Sequence, residues 1–165
     1  MKTFIVLGMH RSATSLSAQG LHRCGVHMGE RLLGSHESNK YGHWEDIDFV
    51  YLNDQILKAA GGSWDNPPLE LEILNAGLLM SQKIKDFVEH KQRDPFWGWK
   101  DPRTTLTIRC FMPYLTNPHF IACYRKPKEV AESLNKRDGI PIKKGIEICK
   151  TYNARMKSFL SEFVE

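Results

Sequence analysis

Phe4-Ile5-Val6-Leu7-Gly8, followed at once by Met9-His10-Arg11-Ser12-Ala13-Thr14-Ser15, sets the architecture from the amino end. Four consecutive apolar residues closed by a glycine read as a strand buried on both faces. The polar loop behind them leads into a helical pattern from Thr14 to Cys24, with Leu16, Gly20, Leu21 and Cys24 expected on its buried face and Gly25 as its stop. Strand, tight loop, helix is the opening unit.

The same alternation continues down the chain. Asp46 to Ala60 reads as a helix closed by Gly61-Gly62, and Asn66-Pro67-Pro68 breaks the chain before one long helix from Leu69 to His90. Its expected inner stripe is Ile73, Gly77, Met80, Ile84 and Phe87. Trp97-Gly98-Trp99-Lys100 is a short strand, Thr104 to Leu115 a helix, and His119 to Tyr124 a third strand. Pro127 suits the first turn of a helix running to about Arg137. Beyond Gly139-Ile140-Pro141 a last helix carries Ile142, Ile146, Cys149, Met156, Leu160 and Phe163 as its apolar stripe. Apolar strands alternating with amphipathic helices predict an α/β fold, a central parallel β-sheet flanked by helices on both faces. Ligands of such folds bind beyond the carboxyl ends of the strands. Polar segments 8–15, 100–104 and 124–127 each follow a strand.

Bulk composition narrows the function classes. The 165 residues fit a single domain, with 41% apolar and 25% charged residues. A net charge of +4, with both signs interspersed, suits an anionic ligand and does not argue for nucleic acid. Cys24, Cys110, Cys123 and Cys149 show no C-x-x-C pair, so they read as reduced thiols used as small core residues. The apolar run at the amino end is too short for a signal-peptide core or a membrane span, which predicts a cytoplasmic protein without a membrane partner.

The loop 8–15 is built for an anion. A helix that starts there offers unpaired backbone N–H groups and a partial positive charge, and Arg11, Ser12, Thr14 and Ser15 add a cation and hydroxyls. The competing structural use is a plain helix cap by Ser12 or Thr14. A nucleoside-triphosphate loop of the form G-x-x-x-x-G-K-[ST] fits poorly, because Ala13 and Thr14 stand where glycine and lysine are required. A kinase also recruits Mg²⁺ to offset phosphoryl charge, whereas a sulfuryl group can be handled by cations and backbone donors alone.

His10-Arg11-Ser12-Ala13-Thr14-Ser15 resembles the 5'-phosphosulfate loop of sulfotransferases that use 3'-phosphoadenosine-5'-phosphosulfate (PAPS), commonly R-S-G-T-S. Tyr124-Arg125 at a strand end, with Ser133 eight residues on, resembles the same superfamily's 3'-phosphate motif, and the stretch to Gly139 is similar to bacterial-type members. Tyr41-Gly42-His43-Trp44-Glu45-Asp46 and Trp97-Gly98-Trp99-Lys100-Asp101-Pro102-Arg103 also look like family segments. The resemblance spans residues 4–163 and implies a P-loop NTPase-like three-layer fold.

The resemblance also implies roles. The backbone of residues 12–15, Ala13 included, and the side chains of Arg11, Ser12, Thr14 and Ser15 would hold the 5'-phosphosulfate; Arg125 and Ser133 would hold the 3'-phosphate, with Arg137 one turn beyond as an assisting cation. Glu45 is the candidate base and His43 the second; Arg11 and Lys100 would steady the transferring charge. The donor is PAPS, the product PAP, no metal is required, and the acceptor is a small molecule or carbohydrate. Glu45 as a first-turn acid of a helix, and an ion pair within Lys100-Asp101-Arg103, are the structural alternatives. Ala13 departs from the usual glycine, which costs roughly 1 kcal/mol if the backbone there is left-handed. Trp97 and Trp99 read as core, and Trp44 and Trp64 as candidate walls of an acceptor pocket. Family members usually continue with a further strand, so the chain reads as a minimal or shortened version. A small-molecule or nucleotide kinase, and a domain that binds PAP or PAPS without turnover, are the rival readings.

Overall fold

The computed structural model describes residues 1–34 and 42–163. Among them, three parallel strands form a sheet in the order β2-β1-β3, with β1 spanning Lys2–Gly8, β2 Phe96–Lys100 and β3 Pro118–Cys123. The helices are α1 (Thr14–Arg23), α2 (Ile47–Ala59), α3 (Glu70–Leu79), α4 (Ser81–Lys91), α5 (Thr104–Phe111), α6 (Pro127–Asp138) and α7 (Ile142–Leu160). The first strand is therefore the central one, and both its neighbours come much later in the chain.

Burial explains that placement. Ile5, Val6 and Leu7 are all fully buried, which only a central strand covered on both faces permits. Strand alternation splits them between two unequal cores. Ile5 and Leu7 join Trp97, Trp99, Phe49, Phe111, Val130, Leu134 and Tyr152 in a large core under α2–α7. Val6 faces a small one with Ala18 of α1, Val26, Met28 and Cys123. Trp97 and Trp99 are core residues, as expected, with the Trp99 ring stacked on Phe49 at 4.4 Å.

The neighbouring strands lie close to β1. A Cβ on Gly98 would stand 2.0 Å from the Phe4 carbonyl oxygen, so the glycine between the two tryptophans is what lets β2 lie against β1. At Gly8 the φ is 148°, and a Cβ there would stand 2.6 Å from the Cys123 carbonyl oxygen.

Several sequence expectations are corrected. The inner face of α1 is not Leu16, Gly20, Leu21 and Cys24: Thr14 and Ala18 are buried, whereas Leu16 is 69% exposed and Cys24 is exposed. Small Ala18 sets the approach to Val6, and Ser17 Oγ lies 3.2 Å from Cys123 Sγ, so the helix is rolled about one residue from the leucine register. Cys24 accordingly is not a core thiol; Cys110, Cys123 and Cys149 are buried. The expected long helix is two, parted at Met80 (φ −101°, ψ 10°), although Ile73, Gly77 and Ile84 still face inward. The helix begun at Thr104 ends at Phe111 and tightens into a 3₁₀ turn over Met112–Tyr114.

No helix among the described residues is long and apolar enough to cross a membrane.

Candidate functional site

The segments that follow the three strands meet. A cavity of about 340 Å³ is lined by His10, Arg11, Ala13, Thr14 and Ser15 after β1, by Lys100 and Pro102 after β2, and by Arg125 and Arg137 after β3. Leu16 and Gln19 of α1, with His43 and Glu45 ahead of α2, complete its wall. It opens where strand order reverses around β1, the crevice position expected of an open parallel sheet. Its size falls within the range of small-molecule sites.

The loop after β1 is shaped by unusual backbone. Arg11 (φ 68°) and Ala13 (φ 65°) are both left-handed, and Ala13 stands at the N-cap of α1 without a side-chain cap bond. A left-handed residue followed by helical Thr14 turns successive N–H groups toward one concavity, an anion-binding backbone form. The first turn of α1 adds N–H groups that no intrahelical carbonyl can reach. Capping is thus not what Ser12 and Thr14 supply. Both are 3% exposed, and Ser12 lies behind the cavity wall with its N–H on the Met9 carbonyl at 3.2 Å. Thr105 of α5 pins the end of β1, its hydroxyl accepting from Gly8 N at 2.8 Å and donating to the Gly8 carbonyl at 3.2 Å.

Ala13 in that conformation carries a strain glycine would not. Ala13→Gly should stabilise the protein by about 0.5–1 kcal/mol, the left-handed penalty of alanine less the extra chain entropy of glycine. Urea unfolding of the two proteins measures it.

Arg11 and Arg125 belong to one assembly. Arg11 Nε donates to Ser133 Oγ at 2.8 Å, and Arg125 Nη1 donates to the Arg11 carbonyl at 3.0 Å. Ser133 thus supports Arg11 from α6 and does not itself line the cavity. Arg125 also pairs with Glu129 one turn along α6 at 2.9 Å, both half-exposed. An exposed i,i+4 pair is worth only about 0.3–0.5 kcal/mol, so it restrains Arg125 little. Arg137 pairs with Asp138 at 2.7 Å, and its guanidinium lies 5.8 Å from the centre of the Trp64 ring.

The opposite wall holds a buried ion pair. Lys100 (1% exposed) donates to Glu45 Oε1 at 2.5 Å, and Arg103 Nη1 lies 3.9 Å from Oε2. Burial pushes the Glu45 carboxyl up and the Lys100 ammonium down, each shift partly offset by the other's charge. Glu45 is not a first-turn acid. Asp46 caps α2 by accepting from Asp48 N, and Lys91 of α4 clamps Asp46 at 2.9 Å. The Glu45 carbonyl accepts from Leu33 N at 2.7 Å.

Arg103 pairs with Asp101 at 3.0 Å and Asp54 at 2.7 Å, while Asn53 ties Asp101 to Thr104. The structural pair foreseen in this segment is therefore Asp101–Arg103, with Lys100 turned to Glu45.

His43 lines the cavity, its carbonyl accepting from Ser15 Oγ at 3.1 Å. Tyr41 lies outside the described residues. Trp44 and Trp64 do not line the cavity: Trp44 packs in the small core, and Trp64 stands behind His10.

Two features escaped the sequence reading. Lys91, buried beneath Asp46, had no local signal, because its partner is 45 residues away. His10 was visible only as a member of the loop; burial, with Arg103, Arg137, Lys100 and His43 around it, holds its imidazole well below the usual value and therefore neutral at pH 7.

Among the described residues no cluster of three or more His, Cys, Asp or Glu side chains is arranged to hold a metal ion. Comparison with family models, curated proteins and solved structures found no match. The cavity's chemistry must be read from its own residues: Arg11, Lys100, Arg125 and Arg137 face it against the single carboxylate Glu45 among the described lining. That balance calls for an anion.

Proposed function

We propose that the protein is a PAPS-dependent sulfotransferase of P-loop-like architecture, acting on a hydroxyl or amine of a small-molecule or carbohydrate acceptor. The observation that carries this reading is that Arg11 and Arg125, from motifs more than a hundred residues apart in sequence, share one cavity and touch through the Arg11 carbonyl. In this reading the left-handed loop and the first turn of α1 hold the 5'-phosphosulfate. Arg125 and Arg137 hold the 3'-phosphate, and Ser133 keeps Arg11 aimed.

Transfer would run as a single displacement. Glu45 takes the acceptor proton, the acceptor oxygen or nitrogen bonds to sulfur, and the bond from sulfur to the bridging oxygen breaks. The electron pair stays on the 5'-phosphate of departing PAP. Lys100 and Arg11 offset the charge on the sulfuryl and bridging oxygens, where a well-placed donor is worth about 3 kcal/mol. Burial of Glu45 makes it a stronger base than an exposed carboxylate.

One observation favours a second reading. Lys100 and Glu45 are committed to each other, which ties up the carboxylate that would serve as base and suits a domain that binds PAP or PAPS without turnover.

Thermal melts with PAP, ADP and ATP, each with and without Mg²⁺, test the assignment. PAP should raise the melting temperature without metal, by the increment that about 4 kcal/mol of linked binding gives at a thousandfold excess over its dissociation constant. Stabilisation by ATP with Mg²⁺ and not by PAP would instead mark a kinase.

A further inference from the structure

His10 is among the cavity residues with no part in the scheme above. His10 is 8% exposed, lines the cavity, and keeps an Nε2 that has no hydrogen-bond partner among the described residues. Leaving a buried ring nitrogen unpaired is costly, and native proteins seldom retain such a group without a use for it. The ring is held in place from behind. It packs on Trp64 at 4.6 Å between centroids, and Tyr152 of α7 donates its hydroxyl to the Trp64 carbonyl at 3.0 Å.

The charged and titratable groups that act on it come from four places in the chain: Lys100 at the end of β2, Arg103 before α5, Arg137 on α6, and His43 ahead of α2. Glu45 is engaged by Lys100, and Asp101 by Arg103 and Asn53. The imidazole is thus crowded by cations whose carboxylates are already committed.

We infer that His10 becomes a direct contact to the bound anion, its ring turning so that the enclosed Nε2 donates to an anion oxygen, and that it gains one proton from solvent as the anion enters. This rests on the reading above for the identity of the anion alone. Without ligand, burial first and the neighbouring cations second make a positive charge on the ring unfavourable. A bisphosphate reverses the local sign, and the protonated ring then fits where the neutral one did. Affinity should accordingly rise as pH falls, by up to about tenfold per pH unit while the free ring is neutral and the bound ring charged.

Calorimetry of PAP binding near neutral pH, in buffers of different ionisation enthalpy, reads the proton directly. The unaltered protein should take up about one proton per PAP. His10→Gln, which keeps an N–H but cannot titrate, should still bind PAP, take up none, and lose the pH dependence. Equal uptake by both proteins would assign the proton elsewhere and overturn the inference. Ring ¹⁵N spectra of His10 in the unaltered protein, titrated with pyrophosphate, separate this outcome from failure of the nucleotide assignment. Protonation of His10 on pyrophosphate binding, with no binding of PAP, would keep the anion contact and remove the nucleotide. Anion binding with the ring still neutral, or no binding of either anion, would overturn it.

Discussion

Lys100→Met should destabilise the protein by about 3–5 kcal/mol, the cost of leaving a buried charge without its partner. Lys100 and Glu45 are 1% and 6% exposed and meet at 2.5 Å, so neither can turn to water when the other is lost. Arg103, 3.9 Å from the second Glu45 oxygen, is already held by Asp101 and Asp54 and can compensate only in part.

The loss should depend on pH with a definite sign. Burial raises the Glu45 carboxyl in the folded protein. Without the ammonium that offset is gone, and the carboxyl rises further. A carboxyl raised on folding contributes stability below its unfolded value, and that contribution disappears as pH climbs through the folded value. The difference between variant and parent should therefore be greatest above neutrality and shrink toward the ordinary carboxylate range. Lys100→Met/Glu45→Met should recover to within about 1 kcal/mol of the parent, because a buried pair replaced by apolar side chains is often neutral. Urea unfolding at several pH values checks all three statements. A single variant as stable as the parent would mean that the pair is not buried as described.

Glu45→Gln is the change with the largest expected effect on chemistry. If Glu45 removes the acceptor proton, transfer from PAPS should fall by about 10²–10⁴-fold, the usual contribution of a general base. PAP affinity should stay within a few-fold, since Arg11, Arg125 and the loop after β1 are untouched. The rate of the parent enzyme should rise with pH as Glu45 deprotonates, with the midpoint above the usual carboxylate range because burial favours the neutral form. Sulfate transfer from labelled PAPS to a panel of hydroxyl and amine acceptors measures it. Activity retained in the variant would take Glu45 out of the reaction and leave it a structural partner of Lys100. His43, on the same wall, would then be the next base to test.

Much of the architecture was legible because its signals are local. Phe4 to Leu7 reads as a doubly covered strand, Gly61-Gly62 and Gly139-Ile140-Pro141 follow the ends of α2 and α6, and Asn66-Pro67-Pro68 precedes α3. The three strand-end segments were also visible, and parallel topology brings them together without further instruction. What was not legible depends on partners far away in sequence. The roll of α1 is set by Ala18 and Ser17 meeting β1 and β3, which outweighs the leucine pattern that puts Leu16 inside. No glycine, proline or asparagine announces the break at Met80. The Glu45–Lys100 and Asp46–Lys91 pairs join elements that only the finished fold makes neighbours. Charges of that kind look, in sequence, like any solvated surface.

The position of β1 in the middle of the sheet has a consequence for biosynthesis. Of the three strands this one leaves the ribosome before the others, yet Lys2 must wait for Phe96, and Thr3 for Pro118, before its backbone is paired on both sides. Until then the apolar run Phe4 to Leu7 is exposed to other nascent chains, the situation in which holding chaperones are most needed. Slow codons or a stall ahead of Pro118 should lengthen that exposure and send more of the product into inclusion bodies.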